Sequence, residues 1–245
     1  MKQFLFLFFI PIFSIGQVNS VAIQRLFAEE KFVDAENVLL SYLKKQPQDI
    51  EAIELLGDTY GHLKNWDKAI ESYQALIDYN ANNANYQYKY GGVLGMKALS
   101  VNKIKALRLL DDIEAAFLKA SKLDSKHIDA RWALVEYYMK LPSFMGGGAG
   151  RALQIANELE AISKVDGYLA KGSIYEAEED IELAEKYYKM AINVGGSLLC
   201  YDKLTQFYLA QDEPEKAILN LKEAYKRHQN EALLLQIKSI EKDNF

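Results

Sequence analysis

Apolar and small residues recur along the chain at helical spacing, in a pattern that returns after about 33 or 34 residues. Each copy has a small residue, a tyrosine three positions later, an alanine twelve positions later, and bulky and small apolar residues after that. The copies are Gly57, Tyr60, Ala69, Tyr73 and Leu76; Gly172, Tyr175, Ala184, Tyr188 and Ala191; and Thr205, Tyr208, Ala217, Leu221 and Ala224. A period of this length, with two helices in each unit, is typical of a stacked helical solenoid.

The helical period and the low number of chain breakers predict an all-α fold. Only four prolines are present in 245 residues, and no alternating strand pattern is visible. We therefore expect a right-handed solenoid of about six helical hairpins, closed by a C-terminal helix with one apolar side. The predicted hairpins span residues 17–49, 50–83, 84–127, 128–164, 165–197 and 198–230, and the capping helix spans 231–242.

Two segments depart from the period. The third unit is longer by ten residues, since Gly91 and Ile113 are 22 positions apart where Gly57 and Ala69 are 12 apart. This predicts a first helix that runs towards Leu99, a break near residues 100–102, and a longer second helix. The fourth unit contains a glycine-rich run, residues 146–150.

The glycine-rich run is not a phosphate-binding loop by sequence. A P-loop ends in Gly-Lys-Ser/Thr and follows a strand, whereas Gly150 is followed by Arg151 and the preceding residues are helical in pattern. We expect a turn between helices whose glycines adopt positive φ. Phe144 and Met145, beside these glycines, are expected to pack against the next helices.

The first sixteen residues differ from the rest of the chain. Lys2 precedes an apolar run, Phe4 to Ile15, and the small residues Ser14 and Gly16 occupy the minus-three and minus-one positions of the expected cleavage site. This pattern predicts a secretory signal cleaved after Gly16, with 17–245 as a single solenoid domain that is periplasmic or secreted. A retained anchor would require about 20 apolar residues, so no stable membrane insertion is expected after cleavage.

Composition and motifs argue against several functions. The net charge is −5, whereas nucleic-acid binding requires a concentrated basic face. Cys200 is the only cysteine, which excludes an intrachain disulfide and predicts a buried thiol. The histidines His62, His127 and His228 fall in different units, and no hydrolase or metal-binding motif is present. We therefore expect no enzymatic activity, no metal and no cofactor.

The repeat residues Leu56, Gly57, Tyr60, Ala69 and Tyr73 resemble the tetratricopeptide-repeat family. With its long third hairpin and Pro–Gly-Gly turn, the chain resembles a group of exported bacterial members of that family. The resemblance implies a binding surface on the concave side, formed by the second, fifth, ninth and twelfth positions of each hairpin's first helix. The candidate ligand-binding residues at such positions are Glu54, Asp58, Tyr88, Trp132, Glu136 and Met139.

These candidates predict an acidic groove with aromatic anchors, suited to a neutral or basic peptide. The alternative is that Tyr88 and Trp132 only pack between units. The predicted function is a non-catalytic scaffold of the cell envelope that binds an unidentified protein or peptide. A second interpretation, an accessory subunit of a periplasmic solute-uptake system of the TRAP type, also stays open. The convex face and the extended hairpin near Ser100 to Lys105 are equally open to a partner.

Overall fold

The computed structural model describes residues 18–244, and the predicted signal sequence lies outside this range. The described residues contain α-helices, one 3₁₀ turn and no strand. The predicted all-α fold of consecutive helical hairpins is therefore confirmed. None of the helices in residues 18–244 combines the length and the apolar character needed to cross a membrane.

The chain divides into two compact units, one ending at Tyr79 and the other beginning at Asn80. In the first unit each helix packs against the next along the chain. Asn19 and Asp49 cap the first and third of these helices by accepting backbone N–H groups through their side chains. The helices are α1 (Ser20–Ala28), α2 (Phe32–Leu43), α3 (Ile50–His62) and α4 (Trp66–Tyr79).

The second unit continues the same antiparallel, nearest-neighbour packing. Its core includes Cys200, which is fully buried as predicted. The helices are α5 (Ala84–Ser100), α6 (Lys103–Leu107), α7 (Leu110–Leu123), α8 (Ile128–Lys140), α9 (Ala149–Ile162), α10 (Lys164–Ala177), α11 (Ile181–Val194), α12 (Leu198–Ala210), α13 (Pro214–His228) and α14 (Glu231–Asn244).

The long third hairpin has the predicted long first helix and the predicted break, but its second helix differs from the prediction. Helix α5 has 17 residues and ends at Ser100. The chain then becomes extended at Val101, and the Asn102 side chain caps the short helix α6 by accepting the Lys105 N–H. Helix α7 has only 14 residues, so the prediction of a longer second helix is wrong. The additional residues form a separate short helix because Asn102 and the extended Val101 interrupt the helical path.

A glycine in the first helix of three hairpins allows an aromatic ring of the second helix to approach the backbone. A Cβ atom added to Gly57 would lie 3.0 Å from Tyr73 Cζ. One added to Gly172 would lie 2.7 Å from Tyr188 Cδ1, and one added to Gly91 would lie 2.8 Å from Phe117 Cε1. The small residue and the ring therefore form a matched pair that fixes the spacing of the two helices.

Tyrosine hydroxyl groups connect the helices of one hairpin at this same contact. Tyr73 donates to Asp58 at 2.5 Å, and Tyr188 donates to Glu176 at 2.5 Å. Both rings are buried, so each ring fills the space beside a glycine while its hydroxyl reaches a carboxylate near the surface. Hydrogen bonds to charged acceptors are the stronger kind, with net contributions of about 1.5–3 kcal/mol.

A second set of tyrosines connects neighbouring hairpins within the second unit. Tyr138 of α8 donates to Glu114 of α7 at 2.7 Å, and Tyr208 of α12 donates to Glu185 of α11 at 2.7 Å. In both cases the tyrosine is the eleventh residue of its hairpin, three residues after Val135 in one and after Thr205 in the other. The same sequence position thus provides the link from one hairpin to the preceding one.

Adjacent glycines in α5 provide a direct test of the glycine–ring contact. We expect Gly91→Ala to lower the free energy of unfolding by about 1–3 kcal/mol, because the added methyl group overlaps the Phe117 ring. Gly92→Ala should raise it by up to about 1 kcal/mol, since no atom lies within 4 Å of the added Cβ and alanine favours the helix. Urea denaturation of both variants measures the difference. Equal changes in the free energy of unfolding for the two substitutions would contradict the claim that the Phe117 ring limits the space at Gly91.

The buried tyrosine hydroxyl groups also predict that the free energy of unfolding falls at alkaline pH. Burial, together with the Glu185 carboxylate, raises the pKa of Tyr208 above its ordinary value of about 10. The stabilisation from this hydroxyl is complete below about pH 10 and is lost as the pH rises towards the pKa in the folded protein. We expect Tyr208→Phe to flatten the fall in unfolding free energy above pH 10, measured by urea denaturation. Tyr79→Phe, at an exposed position, is the control and should leave the slope unchanged.

Candidate functional site

The first helices of the last three hairpins line an open groove of about 620 Å³ in the second unit. These helices are α8, α10 and α12, each separated from the next by the second helix of a hairpin. The residues that line the groove are Trp132, Val135, Glu136, Met139, Lys140, Asp166, Leu169, Ser173, Ala177, Leu199 and Lys203.

The floor of the groove is apolar. Val135 and Leu169 are buried at its base, and Met139 is half-buried beside them. Leu199 is 57% exposed although it is a large aliphatic residue. An exposed leucine above a buried apolar base provides area that a bound segment could remove from water at about 25 cal/mol per Å².

The orientation of Trp132 is fixed by hydrogen bonding and packing. Its Nε1–H donates to Asp166 Oδ1 at 2.9 Å, and Asp166 Oδ2 accepts the Ser163 hydroxyl at 2.5 Å. The indole also packs against the buried cluster of α10 to α14 while it lines the groove. Trp132 therefore serves the core on one side and presents a preorganised surface on the other.

The charges at the groove have both signs. Glu136 and Asp166 contribute carboxylates, and Lys140 and Lys203 contribute ammonium groups. Both lysines and Glu136 are exposed, whereas Asp166 is half-buried and bonded to Trp132. The expected acidic groove is therefore wrong for this site, because Lys140 and Lys203 each lie one helical turn from a predicted position and balance the two carboxylates.

Three of the six predicted residues come together in the groove, namely Trp132, Glu136 and Met139. Tyr88 does not line it. The Tyr88 ring lies against His127, with 5.1 Å between ring centroids, and near Phe117 at 6.1 Å. Burial raises the pKa of its hydroxyl, and the nearby Asp129 and Glu136 carboxylates add to this effect.

The remaining two candidates, Glu54 and Asp58, lie on α3 in the first unit. Asp58 accepts the hydroxyl of Tyr73, so at least one of its oxygens serves the hairpin. Glu54 is half-buried. The prediction that both contact a ligand stays a prediction.

Sequence reasoning did not select Lys140 and Lys203 as site residues. Lys140 follows Glu136 by four residues, and Lys203 follows Leu199 by four. Residues four apart share one face of a helix, so a helical projection of the concave positions would have included both. The template positions alone omit them because they sample one side chain per turn.

Each histidine has a structural contact. His62 stacks on Phe32, with ring centroids 4.3 Å apart, in the first unit. His127 Nδ1 accepts the Ala130 N–H at the start of α8, and His228 Nε2 lies 2.7 Å from the Gly196 carbonyl oxygen. Among residues 18–244, no group of three or more His, Cys, Asp or Glu side chains is arranged to hold a metal ion.

The glycine-rich turn after α8 is ordered by its own hydrogen bonds. Gly146 and Gly148 have positive φ, +84° and +93°. The Arg151 guanidinium donates to the Gly146 carbonyl at 2.7 Å, and the Gly148 N–H donates to Tyr138 O at 2.8 Å. Phe144 is 88% exposed, so the prediction that it packs against the next helices is wrong, since the bonded glycines hold it outward.

Comparison with known proteins places the fold in a recognised group. Residues 50–83 and 165–194 match the sequence model of the tetratricopeptide repeat. The fold is similar to that of PilW, described as a widely conserved type IV pilus biogenesis factor, with 16% identity over 91% of this chain and 99% of that one and a TM-score of 0.61. No curated protein matches the chain in sequence.

Two further solved structures have the same fold. A tetratricopeptide-repeat protein from Parabacteroides merdae is 13% identical over 90% of this chain and 83% of that one, with a TM-score of 0.59. PilF of Pseudomonas aeruginosa is 14% identical over 90% and 96%, with a TM-score of 0.56. The chain thus carries tetratricopeptide repeats at residues 50–83 and 165–194, and its fold is that of tetratricopeptide-repeat proteins.

Proposed function

We propose that this chain is a non-catalytic interaction scaffold that binds a segment of another protein in the groove of α8, α10 and α12. The observation that carries the proposal is the combination of an apolar floor with rim charges of both signs. An interface of this kind gains affinity from its buried apolar centre and selectivity from its polar rim.

The shape and rigidity of the groove favour a polypeptide segment. Its volume of about 620 Å³ accommodates a few side chains. Trp132 is held by Asp166 before any partner arrives, so little conformational freedom is lost at this anchor on binding. Leu199 and Met139 supply aliphatic surface beside the indole.

The rim suggests a partner segment that carries charges of both signs. Glu136 can attract a basic side chain, while Lys140 and Lys203 can attract an acidic side chain or a terminal carboxylate. Charges at a rim change association rates and partner choice more than they change affinity. The partner segment is therefore expected to have an apolar centre flanked by charged residues.

We further propose that the protein works in the cell envelope. The apolar run from Phe4 to Ile15, preceded by Lys2, supports export. The fold similarity to PilW agrees with this location, because PilW is a type IV pilus biogenesis factor. The structural contacts made by all three histidines support a role without catalysis.

Peptide selection against the purified protein tests the groove. We expect selected peptides to bind the wild type and to lose about tenfold or more in affinity to Leu199→Ser, because the serine removes exposed apolar area from the groove. Leu235→Ser is the matched control, since Leu235 is 68% exposed on α14 and lies outside the groove. Calorimetric titration measures both. Equal loss in the two variants, or no peptide binding to the wild type, would contradict the proposal.

The solute-uptake interpretation is the second candidate. The volume of the groove also lies in the range of small-molecule sites. A small solute that raises the melting temperature of the wild type but not of Leu199→Ser would favour this alternative over a peptide ligand.

A further inference from the structure

The segment between α5 and α7 differs in charge from the rest of the chain. Residues 96–110 contain Lys97, Lys103, Lys105 and Arg108 and no acidic residue, whereas the whole chain has a net charge of −5. Lys103, Lys105 and Arg108 are exposed and form no ion pair within the described residues. Three cations are thus concentrated on the short connection between α5 and α7, and Lys97 lies on the last turn of α5. Asp111 and Asp112 follow at the start of α7.

The same segment exposes large aliphatic side chains. Leu99 is 68% exposed, Ile104 is 69% exposed and Leu107 is 51% exposed. Helix α6 packs chiefly against α5 and leaves Ile104 and Leu107 exposed. We call residues 96–110 the basic tip.

A further exposed apolar residue lies on the adjacent turn at the same end of the second unit. Phe144, in the turn between α8 and α9, is 88% exposed. The end of α8 is bonded to the start of α7, since the Tyr137 hydroxyl donates to Leu110 O at 3.0 Å. Arg151 connects the turn to α7 by contacting both Gly146 O and Glu114. The basic tip and Phe144 therefore lie at one end of the second unit.

We propose that the basic tip binds the surface of an anionic lipid bilayer. Cations that flank exposed aliphatic and aromatic side chains are the combination that holds a peripheral protein at a membrane interface. The ammonium and guanidinium groups would face lipid phosphates, while Ile104, Leu107 and Phe144 would enter the boundary of the acyl chains. Lipid phosphates complement the cations of the tip, and the acyl boundary accepts its exposed apolar side chains, which favours an anionic lipid surface as the partner.

The neighbouring turns limit the contact to the tip. The turn between α10 and α11 carries Glu178, Glu179 and Asp180, and that between α12 and α13 carries Asp212 and Glu213. Helices that alternate in direction place these turns at the same end as the tip. Their charges are repelled by anionic lipid, so the protein is expected to attach by the tip rather than along this whole edge.

A fluorophore at the tip tests the proposal in the full chain. Cys200 is fully buried, so a thiol-reactive nitrobenzoxadiazole label on Ile104→Cys reports on the tip alone. We expect its emission to shift to shorter wavelength with vesicles of phosphatidylglycerol and phosphatidylethanolamine, but not with phosphatidylcholine alone. The label on Leu219→Cys, which is exposed on α13, should not respond. The local readout separates the tip from any insertion of residues 4–15.

Charge variants complete the test. Each cation near an anionic surface strengthens partitioning about fivefold. We therefore expect the vesicle partition coefficient, read from the emission shift, to fall on the order of 100-fold in the triple variant Lys103→Gln, Lys105→Gln and Arg108→Gln. Lys238→Gln with Lys242→Gln, both exposed on α14, is the control and should retain it. If the label at position 104 shows no emission shift with any vesicle, the proposal is overturned. Binding of an acidic protein at the tip would not rescue it. Equal shifts with neutral and anionic vesicles would overturn it as well.

Discussion

The contact between a glycine and an aromatic ring sets the spacing of the two helices in three of the hairpins. Gly57, Gly91 and Gly172 each lack the Cβ atom that would overlap an aromatic ring of the partner helix. A helix pair with this spacing buries its apolar stripe only when a further pair packs against it. The sixth hairpin shows the same rule with other residues, since Thr205 occupies the small position where Leu221 replaces the ring.

The groove in the second unit follows from that spacing. Small residues and rings occupy the sides of the first helices that face their partners, so the remaining side of α8, α10 and α12 is left to form a surface. The hydrogen bonds of Tyr138 and Tyr208 to the preceding hairpins keep these helices in register. The groove is therefore built on helices whose positions are fixed before a partner binds, which reduces the cost of binding.

The repeat was readable from the sequence because its contacts are local and recur at fixed spacing. The contact of Gly172 with Tyr188 lies within one hairpin, so the spacing pattern predicted the helices. The face that Trp132, Glu136 and Met139 share was implied by the resemblance to tetratricopeptide repeats. The position of Tyr88 was not readable in this way. Its ring lies against His127, the residue that caps the start of α8, and no spacing within the repeat encodes this contact.

Non-periodic segments limited the prediction for the same reason. Phe144 and the α6 connection lie outside the repeat, and their conformations depend on Asn102, Gly146 and Arg151. The charges of the groove were misjudged because Lys140 and Lys203 do not occupy template positions, although they share the face. The structure adds what the period lacks, namely which side chains converge from separate hairpins.

The central claim, that the groove of α8, α10 and α12 receives a protein segment, is tested most directly by Trp132 itself. The chain has two tryptophans, so Trp66→Phe leaves Trp132 as the single indole reporter. Titration of this variant with a peptide that binds the protein should change the Trp132 emission saturably, with the dissociation constant found by calorimetry. Calorimetric binding with no change in Trp132 emission would contradict the account and place the partner on another surface.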